Sequence, residues 1–245
     1  MKELNIEILK SKKAIFFDSD GTLLDNSNIW NEIYAEFVFK KCGVRISVKQ
    51  ALNDWHEHHI KFKGEDLFKS YVLFLTNKYG NKKYDADILR KELYEIADEF
   101  VISKVKYKDY APEVVKKFKS LNYILGLGTL CDRETFEKYN YKNLNITKKM
   151  NCFNEFNKIL LYEDVSKRKP NPEIYLKLLN ELNLNPEECL IIEDSLTGVQ
   201  AGRMAGIEVL NIPDECSIMH QQEIDNITDY KLQSMKELYE ILVKV

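Results

Sequence analysis

No two of the five cysteines, Cys42, Cys131, Cys152, Cys189 and Cys216, stand as a Cys-x-x-Cys pair, and all five are widely separated. Neither a zinc knuckle nor a disulfide framework is indicated, and reduced thiols are expected. Long apolar runs are missing too: no stretch approaches the ~20 residues that a membrane-spanning helix needs. The first residues alternate charge and hydrophobicity too quickly for a secretory leader, so a soluble, cytoplasmic protein with no membrane partner is expected. Charge of one sign is not in excess, with 36 basic against 39 acidic residues and a net charge of −3. A nucleic acid polymer is therefore not expected as a partner, and nothing points to an obligate protein partner. Repeats and low-complexity tracts are absent.

What the chain does have is core material, 44% hydrophobic over 245 residues, and a stretch that brings acids to the end of an apolar run. In Lys12–Asn26 the run Ala14-Ile15-Phe16-Phe17 gives way to Asp18-Ser19-Asp20-Gly21-Thr22-Leu23-Leu24-Asp25. Such a run reads as a buried strand delivering carboxylates at its carboxyl end, which is the ligand-binding edge of an open α/β sheet. Asp18 and Asp20 can face one cavity if the chain curls after the strand, and Gly21 supplies the freedom to curl. Acids so close repel unless a cation lies between them, and a hard ion such as Mg2+ suits carboxylate oxygen. Thr22 is a candidate hydroxyl donor to a bound anion. A second run, Leu190-Ile191-Ile192, ends in Glu193-Asp194-Ser195 and repeats the arrangement.

The Asp-x-Asp-Gly-Thr segment after a hydrophobic strand resembles the nucleophile motif of the haloacid dehalogenase superfamily of phosphohydrolases. The resemblance implies an α/β fold, a Rossmann-like parallel-sheet core with an inserted helical cap, similar to phosphoglycolate phosphatases and β-phosphoglucomutases. It implies that Asp18 attacks phosphorus while Asp20 protonates the leaving group and then activates water. Thr129, after the strand Tyr123–Gly128, matches the residue that binds the transferring phosphoryl group, although Leu130-Cys131 replaces the Asn or Ser that often follows. Lys169-Pro170-Asn171-Pro172 strongly resembles the third motif, whose lysine neutralises the nucleophile and the phosphoryl oxygens. Asp194 matches a metal ligand, with Glu193 as an outer or secondary ligand; Ser195 is a candidate either to cap the next helix or to orient the nearby acids. Implied besides are Mg2+ as cofactor, held by Asp18, Asp20 and Asp194, and a phosphate site of Gly21, Thr22, Thr129 and Lys169.

Between the first two motifs the pattern is helical throughout, with apolar residues at helical spacing in Ile29–Val38, Ala51–Trp55, Leu67–Leu75 and Ile88–Phe100. The expected division is a core of residues 1–26 and 109–245 and a helical cap of 27–108. Such caps cover the active site and select substrates in similar proteins. Trp30, Tyr34, Trp55, His56, His58, His59, Lys61 and Lys63 are candidate substrate contacts there, with Trp30 and Tyr34 reading as core and the histidines as solvated surface. Asp132 is a candidate helix cap, Arg133 and His220 read as surface residues, and Cys131 is given no catalytic role. The segments 143–157 and 211–226 read as irregular.

The expected activity is Mg2+-dependent hydrolysis of a small phosphorylated metabolite through an aspartyl-phosphate. A β-phosphoglucomutase-like activity is one alternative, although the loosely similar cap stretch Lys61-Phe62-Lys63-Gly64-Glu65-Asp66 has no arginine to grip a distal phosphate. A catalytically silent binding protein of the same fold is the other.

Overall fold

The hydrophobic run at the start of the chain forms strand β1 (Ala14–Phe17), buried along its whole length. The structure is a computed structural model describing residues 2–61 and 67–245. After β1 come β2 (Leu24–Asp25), β3 (Lys106–Tyr107), β4 (Ile124–Gly128), β5 (Lys158–Leu160), β6 (Cys189–Glu193), β7 (Glu208–Asn211) and β8 (Tyr230–Lys231). Six of them make one parallel sheet in the order β5-β4-β1-β6-β7-β8. From β1 the chain builds outward on one side through β4 and β5, then returns to the other side for β6, β7 and β8. The reversal falls at β1, and a crevice at the carboxyl ends of the strands is where such a sheet takes its ligands. Register is tight there: Phe17 lies level with Leu127 of β4 and Ile192 of β6.

Sheet and helices close over a continuous apolar core in which Phe16, Ile191 and Val209 meet Tyr175 and Leu178 of the helix Glu173–Leu182. All five of these side chains are fully buried, and burying an aliphatic or phenyl side chain of this kind is worth about 1.5–3 kcal/mol.

The chain divides into two compact units, one of residues to Ser27 with Val105–Val245 and the other of Asn28–Lys104. The second junction falls earlier than the 108/109 expected from the sequence. The reason is a small antiparallel ladder: Leu24 pairs with Tyr107 and Asp25 with Lys106, tying the returning chain to the loop after β1. The intervening unit is helical, with helices Ser27–Cys42, Val48–Lys61, Leu67–Tyr79 and Ala86–Ser103. Its core is aromatic: Tyr34 stacks on Trp55 at 5.7 Å and meets the edge of Tyr71 at 4.7 Å between ring centres. Tyr34 is thus a core residue, as its spacing implied.

His58 differs from the surface reading, being buried with Nε2 2.8 Å from Ser70 Oγ. Asp54, which no pattern flagged, is buried beneath Gln50, Lys78 and Tyr79, all three donating to its carboxylate. The Phe62–Asp66 part of the stretch weighed for a mutase, Lys63 included, lies outside the described residues, as do the side chains of His59 and Lys61. Among the described residues no helix is long and apolar enough to cross a membrane.

The two segments read as irregular carry structure, and so does the stretch before β1. Helix Ile6–Lys10 precedes β1, short helices Leu144–Thr147 and Cys152–Glu155 occupy the 143–157 stretch, and a 3-10 helix Glu215–His220 runs into helix Gln221–Ile227. Each is too short for an apolar stripe to show, and most open on an asparagine or aspartate cap.

Candidate active site

The chain leaves β1 at Phe17 and curls at once. Asp18 N–H still bonds to Ile192 O at 3.1 Å, then Ser19 O accepts from both Leu23 and Leu24 at 2.8 and 2.9 Å. Gly21 sits at φ +81°, a conformation that a side chain disfavours. A Cβ there would also lie 2.6 Å from Asp194 Oδ2, so the glycine is what allows the Asp194 carboxylate to rest against the loop. Gly21 N–H is spent inside the loop, donating to Leu24 O at 3.0 Å and Asn26 Oδ1 at 3.2 Å. Thr22 Oγ1 donates its one proton to Asp194 Oδ1 at 2.8 Å. Both residues were expected to hold phosphate; in this structure they shape the loop and orient Asp194.

Lys169 follows the basic loop and precedes the helix Glu173–Leu182, and its side chain is 3% exposed. Its Nζ donates to Asp18 Oδ1 and to Glu193 Oε1, both at 2.7 Å, joining β1 to β6. Glu193 is fully buried. Its Oε1 also accepts from Tyr175 Oη at 3.1 Å. Its Oε2 accepts from Asp194 N–H at 2.9 Å and from the N–H and Oγ of Ser195 at 3.1 Å each. A carboxylate with every lone pair engaged in this way has little left for an ion. Its place is kept open by Gly198, where a Cβ would fall 1.7 Å from Glu193 Oε1. Ser195 caps the following helix through Gly198 N–H, as its sequence position implied.

The electrostatics follow from burying several acids around one lysine. Burial pushes Asp18 well up; Lys169 opposes this, and Glu193 and Asp194 add to the rise. Burial and then Glu193 push Asp194 up to about 7. Burial alone would push Lys169 down, but Asp18 and Glu193 outweigh it and hold the ammonium charged. Ligand atoms of Asp18, Glu193 and Asp194 all lie within 4.8 Å of one another. With Glu193 already engaged, Asp18 and Asp194 are left as oxygen donors in a group short of positive charge, which suits a hard divalent ion.

Thr129 stands one residue past β4, buried, with Oγ1 accepting from Cys131 N–H at 3.1 Å and its own proton left to donate. Burial pushes the Cys131 thiol well up, and Asp20, Asp132 and Asp18 push it further, so it stays protonated and is no nucleophile. Asp132 caps the helix Arg133–Lys142 through Thr135 N–H, while Arg133 is half exposed beside Asp164. His220 is half exposed beside Glu223.

Four functional neighbours were not legible as such. Asn26 turns back to Asp20, donating to Oδ1 at 2.5 Å, and Tyr139 stands behind it. Ser217 donates to Asp194 Oδ2 at 3.0 Å from the 3-10 helix in a segment read as loop. Tyr175 reads as a core residue of its helix and carries the hydroxyl that reaches Glu193. None of the four belongs to a local pattern of reactive residues, so only the folded chain brings them in.

A parallel sheet with acids at the ends of two neighbouring strands and a lysine between them defines a hydrolase class, and the chain belongs to it. Residues 12–206 match the haloacid dehalogenase-like hydrolase family. Among individual proteins, the 6-phosphogluconate phosphatase of Escherichia coli (strain K12) is 26% identical over 220 residues, covering 86% of each chain. The bifunctional riboflavin kinase/FMN phosphatase of Arabidopsis thaliana is 36% identical over 230 residues, covering 94% of this chain and 55% of that one. In fold, CbbY from Rhodobacter sphaeroides, crystallised in complex with phosphate, superposes with a TM-score of 0.68 at 20% identity, over 93% of this chain and 96% of that one.

Proposed function

We propose that the protein is a metal-dependent phosphomonoester hydrolase in which Asp18 is the nucleophile. The observation that carries this is the Lys169 ammonium at 2.7 Å from both Asp18 and Glu193. It opposes the upward push that burial gives the Asp18 carboxyl and offers positive charge where phosphoryl oxygens would lie. Asp18 attacks phosphorus, and the bond to the leaving oxygen breaks as Asp20 gives that oxygen a proton. Asp20 then takes a proton from the water that attacks the aspartyl-phosphate, releasing inorganic phosphate and restoring Asp18. Thr129, with its free proton, orients the phosphoryl group.

Asp18 and Asp194, with the Asp20 main-chain carbonyl, are the groups that would hold Mg2+, which when bound supplies charge to screen the dianion from the acids. Glu193 is given the task of holding Lys169, because its oxygens are already occupied. The unit Asn28–Lys104, inserted directly after the nucleophile loop, is assigned the role of cap and substrate selector. Relatives named for 6-phosphogluconate and FMN favour a small phosphorylated metabolite. Five free cysteines agree with a reducing cytoplasm.

The test is phosphate release with Mg2+ across 6-phosphogluconate, FMN, phosphoglycolate, sugar phosphates and nucleoside monophosphates. Turnover is expected for at least one, abolished by chelator and reduced about a thousandfold or more by Asp18→Asn. Undiminished turnover in Asp18→Asn would remove Asp18 as nucleophile.

A further inference from the structure

Asn26 is 2% exposed, and every polar group of its amide is used. Oδ1 accepts from Gly21 N–H at 3.2 Å, while Nδ2 donates to Asp20 Oδ1 at 2.5 Å and to Tyr139 Oη at 3.2 Å. Turned over, the amide would set its oxygen against a carboxylate oxygen and its N–H against the Gly21 N–H, so only one orientation satisfies the pocket. Tyr139 is itself buried, on the helix Arg133–Lys142, and its hydroxyl takes the amide proton that Asp20 does not.

The consequence is that the two oxygens of Asp20 differ. Oδ1 is occupied by an N–H donor, and among the described residues nothing donates to Oδ2. We infer that Asn26, braced by Tyr139, is a positioning residue for Asp20: it reserves Oδ1 as an acceptor and leaves Oδ2 to carry the proton. This rests on the reading of Asp20 as acid and base. In the first half-reaction the Oδ2–H bond breaks as the leaving oxygen gains the proton and its bond to phosphorus is lost. The charge left on Asp20 is met by the Asn26 N–H. In the second, Oδ2 takes a proton from water as the water oxygen bonds to phosphorus and the bond from phosphorus to Asp18 breaks. Without the amide the carboxylate keeps its place in the chain but can rotate away from the leaving group.

The leaving group separates this role from a structural one. An alkoxide needs a proton to depart and 4-nitrophenolate does not, so kcat/KM for the first depends on Asp20 far more than for the second. The experiment compares kcat/KM for the fastest alkyl phosphate of the screen and for 4-nitrophenyl phosphate in wild type, Asp20→Asn, Asn26→Ala and Tyr139→Phe, with thermal melts as fold controls. Asn26→Ala is expected to lower the alkyl-to-aryl ratio about tenfold and Tyr139→Phe about threefold, both smaller than the effect of Asp20→Asn, since general acid catalysis contributes ~100-fold or more. An unchanged ratio in Asn26→Ala and Tyr139→Phe, while Asp20→Asn shifts it, overturns the inference and leaves the role of Asp20 standing. An unchanged ratio in Asp20→Asn overturns both.

Discussion

Asp194 shows most plainly how single residues are held out of their comfort for the sake of the site. Burial beside Glu193 pushes its carboxyl up to about 7, against an ordinary value near 3.8. A folded-state pKa above the unfolded one means that the native protein binds more protons between the two values, so its stability falls as pH rises through that window. The metal-free protein is therefore expected to melt at lower temperature at pH 8 than at pH 5.5. Asp194→Asn removes the buried charge while keeping an acceptor for Thr22, and is expected to raise the melting point in chelator at pH 8 by about 2–4 °C, the shift given by ~1 kcal/mol in a chain of this size. It should abolish the further rise on adding Mg2+. A variant that melts lower than wild type in chelator at pH 8 would show that the carboxylate is stabilising in its own right.

At the scale of elements, the helix Leu196–Met204 matters through what its first turn lacks. Gly198 leaves the space that Glu193 Oε1 fills, and Glu193 in turn fixes Lys169. Gly198→Ala is expected to displace the Glu193 carboxylate, destabilise the protein by about 1–3 kcal/mol as overpacking does, and cut phosphate release more than tenfold. Normal activity and stability would mean that Glu193 is not needed where it lies. These elements also mark what the sequence can carry. The strands ending at Phe17, Gly128 and Glu193 were legible because buried parallel strands read as short apolar runs, and the acids after them stood out by contrast. Lys169 was legible through its motif. Asn26, Tyr139, Tyr175 and Ser217 were not, because a side chain that acts on its neighbour across the fold has no local signature. Thr22 and Gly21 were legible as special, but their contacts with Asp194 were not, since the sequence does not show that Asp194 lies against them. Strands β2, β3 and β8 have two residues each, too few for a period to appear.

For the whole molecule, the two compact units divide the labour, with every residue assigned to the chemistry drawn from the unit that contains the sheet. Saturating Mg2+ binds that unit alone in this account, and a ligand at about 100 times its Kd stabilises the state it binds by roughly 2.7 kcal/mol. Hydrogen exchange is accordingly expected to slow at residues 18–24 and 193–198 on adding Mg2+, and to stay unchanged across the helices of Asn28–Lys104. Protection confined to the helical unit would place the ion elsewhere. The central claim is that the phosphoryl group passes through Asp18, and borohydride reduction of enzyme quenched during turnover tests it directly. Residue 18 should be recovered as homoserine by peptide mass spectrometry, in proportion to the phosphorylated enzyme present. Recovery of unmodified aspartate at residue 18, with the reduced product at another acid, would contradict it.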